Sequence, residues 1–273
     1  EIEVAARIAD HLTEEQATQV AIALDGHPLA IQMWRDGDDV PIPGTPVADF
    51  ISSTVLDRLD TNTAQELEDL TLEPFPISRG DSITDLSIDN LDDATILKWS
   101  GSRFESQHLI KHVKLASLDE DKVKSIHERL VDRWSKIEGF EARGHEMHHR
   151  ILSGQSVSKG LAEDVFDNLG PVVASTLLSD ALDNEERGDL RILSARAAIA
   201  IGEAKMALRI SEGLTEQADR LKIEMESFRL LGKESRFLAA EEELLSKLGE
   251  PERSQVLIRG AVRLHDDRLP GPI

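Results

Sequence analysis

The chain has 273 residues, 40% hydrophobic and 30% charged, with a net charge of -21. It contains no cysteine, which excludes disulfides, thiolate catalysis and cysteine-bound metal. No apolar run approaches the length of a bilayer span and no basic-then-apolar leader opens the sequence, so the expected setting is cytoplasmic and away from membranes.

Residues 1–39 read as two or three short helices. Thr13 is placed to cap one of them, with Glu14 and Glu15 in its first turn, where the helix dipole favours negative charge. Gly26 can adopt the left-handed conformation that ends a helix, and Pro28 suits the first turn of the next. Pro41-Ile42-Pro43-Gly44-Thr45-Pro46 is a loop or linker. Helical periodicity resumes at Val47, with Phe50, Ile51, Val55, Leu56 and Leu59 on one face. A break at Asp60-Thr61-Asn62 precedes a helix over Thr63 to Leu72, which Glu73-Pro74-Phe75-Pro76 stops. Leu86 to Leu97 predicts a helix pair. Ile96 to Ser100 and Arg103 to Gln107 predict two short strands around Gly101-Ser102. His108-Leu109-Ile110-Lys111-His112-Val113 opens a further helix, and Leu118 to Trp134 carries another.

From Glu141 onward the pattern is helical nearly to the end. Breaks are expected at Gly154, Gly160, Gly170-Pro171, Gly188, Gly202, Gly213, Gly232, Gly249 and Gly260. The alanine-rich pieces around Ala195–Ala200 and Ala204–Leu208 suit closely packed helix pairs. No strict 34-residue repeat is present, so the expectation is a degenerate α-solenoid of three or four pairs.

Gly26-His27-Pro28-Leu29-Ala30 resembles the Gly-x-Pro-Leu-Ala segment of the signal-transduction ATPases with numerous domains, the STAND branch of the AAA+ superfamily. That resemblance implies a helical lid whose proline lies near bound adenine. Three helices followed by a hairpin is the order of a winged helix, and it too is similar to the module after the lid in STAND proteins. There a strand runs into a histidine and two aliphatics, as Gln107-His108-Leu109-Ile110 does here. In many members a Met-His-Asp histidine reaches the β-phosphate of ADP. This chain has no aspartate after His108. A histidine at that place would hold phosphate more strongly when protonated.

The fold class implied is mainly α. It comprises a helical lid over 1–40, a winged helix with a small β-hairpin over 47–136, and a TPR-like α-solenoid over 137–273. Gly26, His27, Pro28 and His108 are then the nucleotide-proximal residues. Gly-x-x-x-x-Gly-Lys-Ser/Thr occurs nowhere, so no phosphate-cradling loop belongs to this chain and no catalytic residue is expected. ATP or ADP would enter with an upstream nucleotide-binding core, and the start at Glu1 within a helix reads as the portion after such a core. The arm would take a protein partner or effector.

Two other readings draw on different residues. A winged helix can bind DNA, and residues 98–136 hold nine bases against six acids, with Arg103 at the wing tip. Acidity is nevertheless spread along the whole chain, with ten acids to two bases in residues 1–50, eighteen to eleven in 51–140 and twenty-four to eighteen in 141–273. Phosphate contacts demand the opposite balance, so a DNA-binding transcriptional regulator is the alternative rather than the leading reading. His145-Glu146-Met147-His148-His149 fits His-Glu-x-x-His, with His145 and His149 at i and i+4 on one helix face. No third ligand is evident in the sequence, and the expectation is that these are solenoid histidines rather than a zinc hydrolase.

Overall fold

A computed structural model describes residues 46–79, 85–185 and 187–266, together with Thr13 and Thr18. The expected lid, with Gly26, His27 and Pro28, lies outside the described residues. The chain divides into two compact units, Glu1–Glu138 with His148–Ser153, and Gly139–Met147 with Gly154–Ile273.

Among the described residues, the elements of the first unit open with α1 (Pro46–Thr54) and a short 3₁₀ turn, Leu56–Arg58, then α2 (Thr61–Leu72). Asp60 caps α2 by accepting from the backbone N–H groups of Asn62 (3.0 Å) and Thr63 (3.1 Å), so the helix starts two residues before the expected Thr63. It stops at Glu73 because the residue before a proline is driven into extended geometry, here φ -66 and ψ 132. The chain then enters β1 (Ile77–Ser78), a strand that two residues of sequence could not announce.

After β1 come α3 (Asp85–Asp93), β2 (Leu97–Ser100), β3 (Arg103–Ser106), α4 (His108–Ala116) and α5 (Glu120–Trp134). The helix pair expected over Leu86–Leu97 is a single described helix. It ends through Thr95, whose φ of 59 lets the Ile96 N–H reach back to Leu91 O at 2.9 Å. The hairpin is where it was expected, turning at Gly101 with φ 65. The sheet is antiparallel in the order β1-β3-β2, with Trp99 opposite Phe104 and Ile77 on its other side. The Trp99 and Phe104 rings lie 5.0 Å apart, a cross-strand aromatic pair. Leu67, Ile88, Leu91, Ile96, Phe104, Ile126 and Leu130 are wholly buried and form the core of this unit.

Helix α6 (Phe140–Ser153) is counted in part with each unit. The remaining helices are α7 (Lys159–Asn168), α8 (Pro171–Asn184), α9 (Gly188–Ala200), α10 (Ala204–Ser211), α11 (Gln217–Leu230), α12 (Glu234–Lys247) and α13 (Glu250–Asp266). From α8 to α12 each helix packs on the next, and α9 packs also on α7 and α11. Stacking of this kind makes an α-solenoid. Ala195, Ala198, Ala207, Leu214 and Ile223 make one buried cluster, and Leu221, Ala240 and Leu244 make the next. The alanines permit close helix approach, as their spacing implied.

Gly202 (φ 84) and Gly232 (φ 65) end α9 and α11 in the same way. Each lets the following N–H bond back across the last turn, Glu203 to Ala198 O (2.8 Å) and Lys233 to Phe228 O (2.9 Å). Two of the expected glycine breaks are corrected. Gly160 sits inside α7 and Gly260 inside α13, because a lone glycine in a helix costs only about 1 kcal/mol and neighbouring residues outvote it. Among the described residues no strand lies beyond Ser106, and no helix is long and apolar enough to cross a membrane.

Candidate functional site: a buried acid and histidine cluster

The most unusual feature of the first unit is the row of acids that α2 and its C-cap turn inward. Glu66, Asp69 and Glu73 follow one another at helical spacing, and all three are at most 5% exposed. Carboxylates are buried so deeply only when cations or donors meet them. Helix α5 supplies these at matching intervals. Arg129 donates from Nε (3.2 Å) and also from Nη2 to Asp69 Oδ1. Arg133 lies 4.0 Å from both Glu66 Oε1 and Asp69 Oδ2, and stacks over the Trp134 ring. Burial raises the Asp69 carboxyl above its ordinary value despite the pull of Arg129 and Arg133.

Around this row the ion pairs continue. Glu68 holds Lys114 of α4 at 3.2 Å and Lys122 of α5 at 3.0 Å. Burial opposes its ionisation, yet the two lysines together draw its carboxyl below the usual range. Lys111 donates to the Glu73 carbonyl at 2.9 Å, and burial lowers its pKa against the pull of Glu105 and Glu73. No local motif marks this set. Its only sequence signal is acids where an amphipathic helix should be apolar.

Glu73 leads into the second half of the cluster. Trp134 Nε1 donates to Glu73 Oε1 at 2.8 Å, and His149 Nε2 faces Glu73 Oε2 at 3.2 Å. The other nitrogen of His149, Nδ1, lies 2.9 Å from His127 Nδ1. With a carboxylate accepting from His149 Nε2–H, its Nδ1 accepts from His127. The result is a buried chain from His127 through His149 to Glu73. His149 is 0% exposed and His127 3%. Burial, with His149 beside it, lowers the His127 pKa to about 4, so the ring is uncharged at neutral pH.

The other expected site residues fall elsewhere. His108 begins α4 with an exposed side chain, and its ring centroid lies 3.9 Å from that of His112 one turn later, the rings tilted by 59°. Gln107 anchors that point by donating its side-chain amide to Thr95 O at 2.7 Å. Arg103 is exposed on β3. Helix α3, which would face DNA in a winged helix, carries Asp85, Asp89, Asp92 and Asp93 and no base. His145 is buried in α6, one turn before His149. The carboxylate of Glu146 is occupied by Arg143 on the same helix.

These two features define a class by fold, a mainly α-helical protein with a small three-stranded sheet and a buried ionic lock. No family model and no curated protein matches the sequence. The chain is similar to a solved STAND protein with a tetratricopeptide-repeat sensor from Pyrococcus horikoshii, at 16% identity and a TM-score of 0.47. The match covers 89% of this chain and 40% of that one, so the chain spans well under half of that protein's length.

Proposed function

We propose that this chain is the regulatory and protein-interaction region of a STAND-type signalling ATPase. In this role the lid segment with Gly26, His27 and Pro28 closes over nucleotide held by an upstream core. The hairpin-bearing module, read as a winged helix, passes the nucleotide state to α5, and the helical arm meets a partner or effector in the cytoplasm. The observation that carries the reading is the lock between α2 and α5. Glu66 and Asp69 on α2 and Glu73 just past its end are answered by Arg129, Arg133 and Trp134, all on α5. A relay requires such a joint, because a helix tied by ions moves as one piece with its partner.

In this reading His108, exposed at the start of α4, contacts nucleotide held by the upstream core. Direct DNA binding is disfavoured by the four carboxylates of α3, which repel phosphate. The test is release of a fluorescent ADP from the protein that joins this region to its nucleotide-binding core. Pro28→Ala and His108→Ala should each speed release several-fold, while the present chain alone binds the probe only feebly. Unchanged release in both variants defeats the proposal.

A further inference from the structure

We infer that a cleft in the first unit binds a small zwitterion with an apolar side chain, a free α-amino acid or a short peptide. The argument is independent of the nucleotide reading. The cleft offers about 520 Å³ between the 3₁₀ turn and first turn of α2 on one side and the last turns of α3 on the other. That lies within the roughly 300–1,000 Å³ of sites for small ligands. Arg58 and Asp93 both line it, and both are exposed. Among the described residues neither side chain has a hydrogen bond or an ion pair, so the two charges do not neutralise each other.

The other polar groups of the cleft decide which end of a ligand belongs where. Asp60 is already engaged, since it accepts from the backbone N–H groups of Asn62 and Thr63 and from the Thr63 hydroxyl at 2.6 Å. Because that hydroxyl donates to Asp60, it accepts from Asn90, whose Nδ2 stands 3.2 Å away. Asn90 Oδ1 is thereby left as an acceptor, one turn before Asp93. The end of α3 also carries the negative pole of the helix, so an ammonium belongs at Asp93 and Asn90 Oδ1. A carboxylate belongs at Arg58, whose planar fork takes both oxygens. Half-buried Val55 and Leu59 offer the apolar contact. A ligand with one charge would answer one wall and leave the other bare.

The experiment is ¹H–¹⁵N spectroscopy of the chain titrated with L-leucine and, separately, with leucyl-leucine. The Asn90 side-chain amide and the Ala94 backbone amide should shift saturably, with Kd in the millimolar range because both charged walls are wet. N-acetyl-leucine, which lacks the ammonium, and leucinamide, which lacks the carboxylate, should each bind about fivefold more weakly, the level of one exposed charge pair. Arg58→Gln should erase the preference for leucine over leucinamide, and Asp93→Asn the preference for leucine over N-acetyl-leucine, with circular dichroism confirming that both fold. A merely structural change would not sort the two analogues in this way. Lys124→Gln, an exposed cation of α5 outside the cleft, should leave binding unchanged. Tighter binding of leucine assigns a free amino acid, and tighter binding of leucyl-leucine assigns a peptide. No saturable shift with either, equal binding by the singly charged analogues, or loss in Lys124→Gln overturns the inference.

Discussion

Replacing Arg129 by methionine tests whether the α2–α5 lock is an energetic joint. Asp69 is 1% exposed, and Arg129 supplies its hydrogen bonds. Stripping one partner from a buried pair costs about 3–5 kcal/mol, because the remaining charge keeps its desolvation penalty. Two features of this site reduce that figure. The Arg129 side chain is 35% exposed, so water screens part of its attraction, and Arg133 stays 4.0 Å from the other Asp69 oxygen. The expected cost of Arg129→Met is therefore about 2 kcal/mol near neutral pH, a large share of the 5–15 kcal/mol typical of a domain.

The pH dependence provides the sharper check. The folded-state pKa of Asp69 is raised by burial, so between its unfolded and folded values the native state holds the extra proton. The charged form thus subtracts stability at neutral pH, and that penalty is relieved as pH falls from the folded value to the unfolded one. Loss of Arg129 pushes the carboxyl higher still and enlarges the penalty. The destabilisation should then shrink on moving from about pH 7 to about pH 5. Urea unfolding followed by tryptophan fluorescence suits this, since buried Trp134 lies within the lock. A cost under about 1 kcal/mol, the level of an exposed pair, or one that stays constant with pH, would refute the reasoning.

Three further outcomes are expected. Thr95→Gly should stabilise the first unit by about 1 kcal/mol, because an exposed β-branched residue at φ 59 is strained and glycine is not. Its urea midpoint should rise. Gly232→Ala should do the reverse in the helical unit, costing about 1 kcal/mol through backbone strain alone, since nothing lies within 4 Å of an added Cβ at φ 65. Gly232→Asn should cost less, and equal losses in the two variants would point to a cause other than φ. Leu244→Ala should cost about 3 kcal/mol, because Leu244 is fully buried against Leu221 and Ala240. That loss should appear in thermal unfolding of the helical unit, and a Tm unchanged within error would show that the cluster is not packed as described.

The sequence alone determined the elements whose signals are local. Alternation around Gly101-Ser102 marked the hairpin, the break at Asp60-Thr61-Asn62 marked a helix start, and proline after Glu73 marked a helix end. Glycine and alanine spacing marked the stacked helices beyond 150. What it could not determine was anything that depends on residues far apart in sequence meeting. The strand Ile77–Ser78 exists only because β3 is there to pair with it. Gly160 and Gly260 read as breaks because the packing that overrides them is not local. Glu66, Asp69 and Glu73 look like a solvated helix face until Arg129, Arg133 and Trp134 are set against them across some sixty residues of sequence. His149 likewise gains its carboxylate from position 73 and its second imidazole from position 127. Burial is a property of the folded chain, and it alone turns ordinary acids and histidines into a lock.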